Sequence, residues 1–106
     1  MNAQIKKGVL ELCVLALLER RDWYGYEISD YLVQRIGIAD GSVYPLLRKL
    51  KADGLLSTYL QEESGGPPRK YYSLTGLGRE TLERDREEYF AFSRAVNAIL
   101  EGKDDD

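Results

Sequence analysis

The chain has 106 residues, 43% of them hydrophobic, and a formal charge of −3. That length bounds it to one domain with a modest core, and the acidic total excludes broad, nonspecific attachment to polyanions. With no histidine and one cysteine, the composition also excludes a disulfide framework, a zinc ligand set and histidine-based catalysis.

The charge is unevenly spread: residues 1–41, 42–72 and 73–106 carry −1, +2 and −4. Only the middle block is basic, which leaves room for a narrow basic footprint. From Ile5 to Glu19 nearly every position is apolar, predicting a helix buried on most sides, in a core or at an interface. Glu11 interrupts the run, Glu19, Arg20 and Arg21 end it without a cleavage site, and it is too short to span a bilayer. The expectation is a soluble cytoplasmic protein in which Cys13 is a small buried hydrophobe.

Asp22 to Gly25 breaks the pattern. A second helix follows to about Arg35, with Ile28, Leu32 and Ile36 on one face and Gly37 at its end. The stretch GSVYPLLRKL then opens a third helix, Gly41 to Asp53, closed by Gly54. Asp40 and Ser42 suit a helix N-terminus, which places the first turn around Asp40 to Tyr44 and Pro45 just inside it. Val43, Leu46, Leu47 and Leu50 form one apolar stripe. The other face carries Ser42, Tyr44, Pro45, Arg48, Lys49 and Ala52.

Two helices joined by a tight turn match a helix-turn-helix. Its second helix, with a basic and aromatic exposed face, is placed to enter a major groove about 12 Å wide. Arg48 is the candidate reader of a guanine edge, while Lys49 and Lys51 contact phosphate or stay solvated. LLSTYLQEE (Leu55 to Glu63) and RKYYSLT (Arg69 to Thr75) are rich in β-favouring residues and flank a Gly/Pro connection, Ser64 to Pro68, predicting a hairpin with an exposed tip. Arg69 and Lys70 on this wing can reach the DNA backbone or minor groove.

Thr75 suits the cap of a last helix running to about Glu101, before a tail expected to be disordered. Leu82, Tyr89, Phe92, Val96 and Ile99 continue a seven-residue repeat, which favours packing against a second copy. The carboxylates of this helix alternate with Arg79, Arg84 and Arg86 as in a solvated face with surface ion pairs, so no active site and no enzyme is expected.

GVLELCVLALL, WYGYEI, GSVYPLLRKLKADGLL and ESGGPPRKYYSLTGLG together resemble the PadR family of winged helix-turn-helix transcriptional regulators, over about Gly8 to Leu82. The resemblance implies a mainly α fold with a small β-hairpin wing: a DNA-binding domain over 1–75, a dimerisation helix over 76–101 and an acidic tail over 102–106. It implies a homodimeric repressor on a palindromic, double-stranded DNA operator, without cofactor or metal. Ser42, Tyr44 and Pro45 then lie at the DNA-facing start of the recognition helix. The C-terminal helix dimerises with the N-terminal one, assigning Leu10 and Leu17 to the interface beside Leu82, Tyr89, Phe92, Val96 and Ile99. The chain resembles the short branch of the family, some of whose members bind flat hydrophobic effectors between aromatic side chains. Tyr89 and Phe92 are the candidate residues for such an effector, with Trp23, the only tryptophan, elsewhere in the chain. The alternative reading is a winged-helix module used only for protein interaction.

Overall fold

The apolar N-terminal run folds as α1 (Ala3–Arg20), and it packs where its pattern demands: Leu10, Val14, Leu15, Leu17 and Leu18 are all buried. The computed structural model describes residues 3–62 and 65–105, with side chains from residue 8 onward. After α1 come β1 (Trp23–Tyr24), α2 (Gly25–Ile36), α3 (Val43–Ala52), β2 (Leu56–Gln61), β3 (Arg69–Leu74) and α4 (Gly76–Leu100). The strands form one antiparallel sheet in the order β1-β3-β2. Glu63 and Ser64, at the end of the expected strand and the start of its connection, and Asp106 of the tail lie outside the described residues.

The break expected at Asp22 to Gly25 is a short strand. Trp23 pairs with Tyr72 and Tyr24 with Tyr71, so the wing has three strands. Trp23 fixes this strand to the core: its ring is buried, its Nε1–H donates to the Leu17 carbonyl at 3.0 Å, and Tyr31 meets it edge-on at 5.3 Å. Asp22 ties the strand ends together by accepting from Tyr59 Oη and Ser73 Oγ, each at 2.7 Å.

The core joins α1, α2, α3 and the inner sheet face through Ile28, Leu32, Val43, Leu46, Leu47, Leu50, Leu56 and Tyr72. Helix α3 begins at Val43, two residues later than Gly41, and Ser42 does not cap it through its side chain. Instead the Ser42 hydroxyl donates back to the Ala39 carbonyl at 2.6 Å, closing the turn before the helix. Gly37 and Gly41, with φ of 78° and 84°, make the turns that let α3 leave the direction of α2.

Thr75 caps α4 as expected, its Oγ1 accepting from Gly78 N–H at 3.0 Å while donating to the Gly54 carbonyl. From there α4 runs about 37 Å at 1.5 Å per residue, and only Gly78 and Leu82 are buried along it. Arg86 fastens its first half to α1 through a two-pronged ion pair with Glu19, at 2.9 and 3.3 Å. The rest extends past the body, giving a molecule of 62 × 29 × 21 Å. The radius of gyration, 16.1 Å, exceeds the about 13 Å of a compact domain this long.

Three residues expected at the subunit interface pack in the core of the single chain. Leu10, Leu17 and Leu82 are 7%, 3% and 0% exposed in a single chain, so they have almost no surface left to offer a second. No helix among the described residues is long and apolar enough to cross a membrane.

Candidate nucleic-acid interface

Burying Val43, Leu46, Leu47 and Leu50 fixes the rotation of α3, and with it what the helix shows to solvent. Ser42, Tyr44, Pro45 and Arg48 are exposed on one side. Pro45 occupies the first turn, where its missing N–H belongs to the donors that have no intrahelical acceptor. The first turn therefore keeps its hydrogen bonds despite the proline.

Beside this turn the molecule is concave. A hollow of about 570 Å³ is lined by Tyr24 and Tyr26 at the start of α2, Tyr44 on α3, and Arg69, Lys70 and Tyr72 on β3. Gly25 forms part of its wall, leaving room for the Tyr44 and Tyr72 rings, each of which would lie 3.5 Å from a Cβ there. Arg48, exposed on α3, is not among the residues that line it. Burial pushes the Tyr72 phenol up, and the nearby Arg48 guanidinium partly opposes that shift. Helix α3 and strand β3 thus bring Tyr44, Arg69 and Lys70 to one hollow, and among the described residues no carboxylate lines it.

Lys49 is not among them. Its Nζ sits 3.1 Å from Asp53 and 3.5 Å from Glu11 of α1, and the two carboxylates hold its ammonium above the ordinary lysine value, Asp53 first. A cation already balanced in this way has less to give a phosphate.

Sequence reasoning missed Tyr24 and Tyr26. The signal was present in WYGYEI, since two tyrosines straddling a glycine at a helix start cannot both face the core. What could not be read was that β1 would carry Tyr24, and with it Tyr26 at the start of α2, against β3. The guanidinium of Arg69 lies over the Tyr24 ring at 4.6 Å.

The residues expected at a subunit interface or effector site lie far along α4. Tyr89, Phe92 and Ile99 are 38%, 68% and 62% exposed, and Val96 is half-buried. Tyr89 and Phe92 border a second groove, of about 310 Å³, between α1 and α4, with Leu12, Leu15, Glu11 and Glu88. Cys13 is half-buried, and desolvation pushes its thiol up, away from the reactive thiolate form.

Comparison with known proteins gives a consistent picture. Residues 14–84 match the family model described as the transcriptional regulator PadR-like family. An uncharacterised protein of Lysinibacillus sphaericus is 28% identical over 106 residues, covering 96% of this chain and 97% of its own. The negative transcriptional regulator PadR of Bacillus subtilis is 28% identical over 78 residues, 70% of this chain, which spans only 43% of that longer protein. Among solved structures, a PadR-like transcriptional regulator from Bacillus cereus superposes with a TM-score of 0.82 at 38% identity, covering 92% of this chain and 97% of that one.

Proposed function

The chain belongs to the PadR-like family of transcriptional regulators, and from that premise we propose that it is a cytoplasmic homodimeric repressor that binds an inverted-repeat operator. The observation that carries this reading is the convergence of Tyr44, Arg69 and Lys70, from two separate elements, on one hollow whose described lining is free of carboxylates, with Arg48 exposed on the same helix as Tyr44. Either patch alone would be ordinary solvated surface. Together they match a recognition helix in the major groove with a wing beside it.

Arg48 reads a base edge with its planar guanidinium, while Arg69 and Lys70 hold phosphate. Ser42 and Pro45 let the start of α3 approach the duplex closely because neither carries a long side chain. Lys49 acts from behind, holding α3 against α1 through Glu11.

The dimer reading rests on α4. Its distal half carries Tyr89, Phe92, Ile99 and Leu100 in the open, an apolar stretch that a second copy of the helix would cover. An effector, in this reading, is a flat apolar molecule held near Tyr89 and Phe92, where ring faces favour stacking. To act, it must bind the DNA-competent and the released dimer with different affinity.

The test is binding to duplex DNA across a salt series. Affinity falling steeply with salt, with Lys70→Ala flattening the slope by about one unit, supports the reading. Salt-independent binding, or none, favours a module for protein interaction.

A further inference from the structure

We propose that the hollow between the start of α2 and the wing holds the sugar–phosphate backbone of one DNA strand, with Tyr26 as a direct contact and Tyr24 as the residue that positions Arg69. The inference deepens the DNA-binding reading and rests on it. It adds a contact from a third element, the start of α2.

A continuous column of rings ends in the wall of the hollow, where Tyr24 and Tyr26 line it. Tyr26 stacks on Tyr24 at 6.5 Å and 17°, Tyr24 meets Tyr71 at 5.7 Å, and Tyr71 stacks on Tyr59 at 5.6 Å and 14°. The far end of the column is fixed, since Tyr59 Oη donates to Asp22, which also holds Ser73. The near end is open: Tyr26 is 64% exposed.

The chemistry of the lining selects the ligand. A phosphodiester strand alternates an anionic group with the apolar edge of deoxyribose. Arg69 and Lys70 answer the first and the faces of Tyr24 and Tyr26 answer the second, while the Tyr26 hydroxyl can donate to a phosphate oxygen. Because the guanidinium of Arg69 already rests over the Tyr24 ring at 4.6 Å, it gives up less side-chain freedom on binding than a solvated arginine would. The occupant is the backbone of duplex DNA, and a free nucleotide is the competing source of the same chemistry.

The experiment measures binding of the full chain to an operator duplex and an unrelated duplex, over a salt series, for wild type, Tyr26→Ala and Tyr26→Phe. Tyr26→Ala is expected to weaken both duplexes by the same factor, about three- to tenfold for one lost hydrogen bond and its packing. Tyr26→Phe should retain part of that affinity through the ring face. Neither should change the salt slope, because a neutral contact releases no counterion, whereas Arg69→Ala should lower it by about one unit. An unchanged thermal midpoint in Tyr26→Ala verifies that the loss is one of contact.

Equal binding by wild type and Tyr26→Ala overturns the proposal, as does a loss confined to the operator, which would make Tyr26 a base reader. Competition by millimolar deoxynucleoside monophosphate that weakens wild type but not Tyr26→Ala assigns the hollow to free nucleotide and overturns it too. A wild-type chain that binds no duplex removes this inference together with the DNA-binding reading; a binding chain indifferent to Tyr26 removes this inference alone.

Discussion

Pro45 illustrates how a residue that would break a helix interior is harmless one turn from its start. Two turns of side chains decide the rest of α3. Arg48 stands exposed, close enough for its charge to act on the Tyr72 phenol, whereas Lys49, one position on, turns to Glu11 and Asp53. Arg48→Ala should therefore weaken binding to the true operator by about 1–3 kcal/mol and leave unrelated DNA much less affected. Lys49→Ala should change affinity for either DNA less than Arg48→Ala does. Equal losses from Arg48→Ala on both DNAs would make it a phosphate contact. Gly78 is decisive for a different reason: a Cβ there would collide with the Leu55 carbonyl oxygen, where α4 begins against the start of β2. Gly78→Ala is expected to destabilise the fold by about 1–3 kcal/mol, the usual cost of overpacking a site that cannot yield, read as a lower urea midpoint. An unchanged midpoint would mean that the Leu55 backbone shifts freely.

At the scale of elements, α4 is held to α1 by Leu82 in the core and by Arg86 on Glu19. The hydrogen bond from Arg86 holds the Glu19 carboxyl below the ordinary glutamate value. A depressed carboxylate stabilises the fold at neutral pH, and that contribution disappears as pH falls through its lowered value. The stability difference between wild type and Glu19→Gln should therefore shrink on acidification. A difference constant with pH would separate the pair from folding. Helices α2, α3 and α4 were legible in sequence because their signals are local: Gly37 and Gly54 as stops, Thr75 as a cap, a clean apolar stripe in α3. Strand β1 was not, since two residues carry no periodicity and their hydrogen-bond partners lie at Tyr71 and Tyr72. The seven-residue spacing from Leu82 to Ile99 was likewise visible, but spacing does not name a partner. Leu82 meets its own chain, and only beyond it does the stripe run exposed. The candidate site was half legible for the same reason: Arg48, Arg69 and Lys70 announce themselves by charge, while Tyr24 and Tyr26 matter only through a strand that sequence did not predict.

For the whole molecule, the elongated shape is the feature with the largest consequence. In the proposed dimer, a body carrying one DNA-facing surface, with α4 projecting from it, is half of a symmetric object. Two copies joined along α4 would hold their α3 helices at a fixed spacing, and binding to successive major grooves on one side of a duplex requires about 34 Å. An effector between the α4 helices would act by altering that spacing. Removing residues beyond Leu82 should leave the core residues in place while abolishing dimerisation, observed by sedimentation. The most direct measurement is footprinting of duplex DNA from upstream of the chain's own gene, at concentrations where sedimentation gives a dimer. Protection of an inverted repeat whose half-sites are centred one helical turn apart, lost with Arg48→Ala, is the expected result. An absence of protection at every such concentration, or a stable monomer that protects a single half-site, would contradict it.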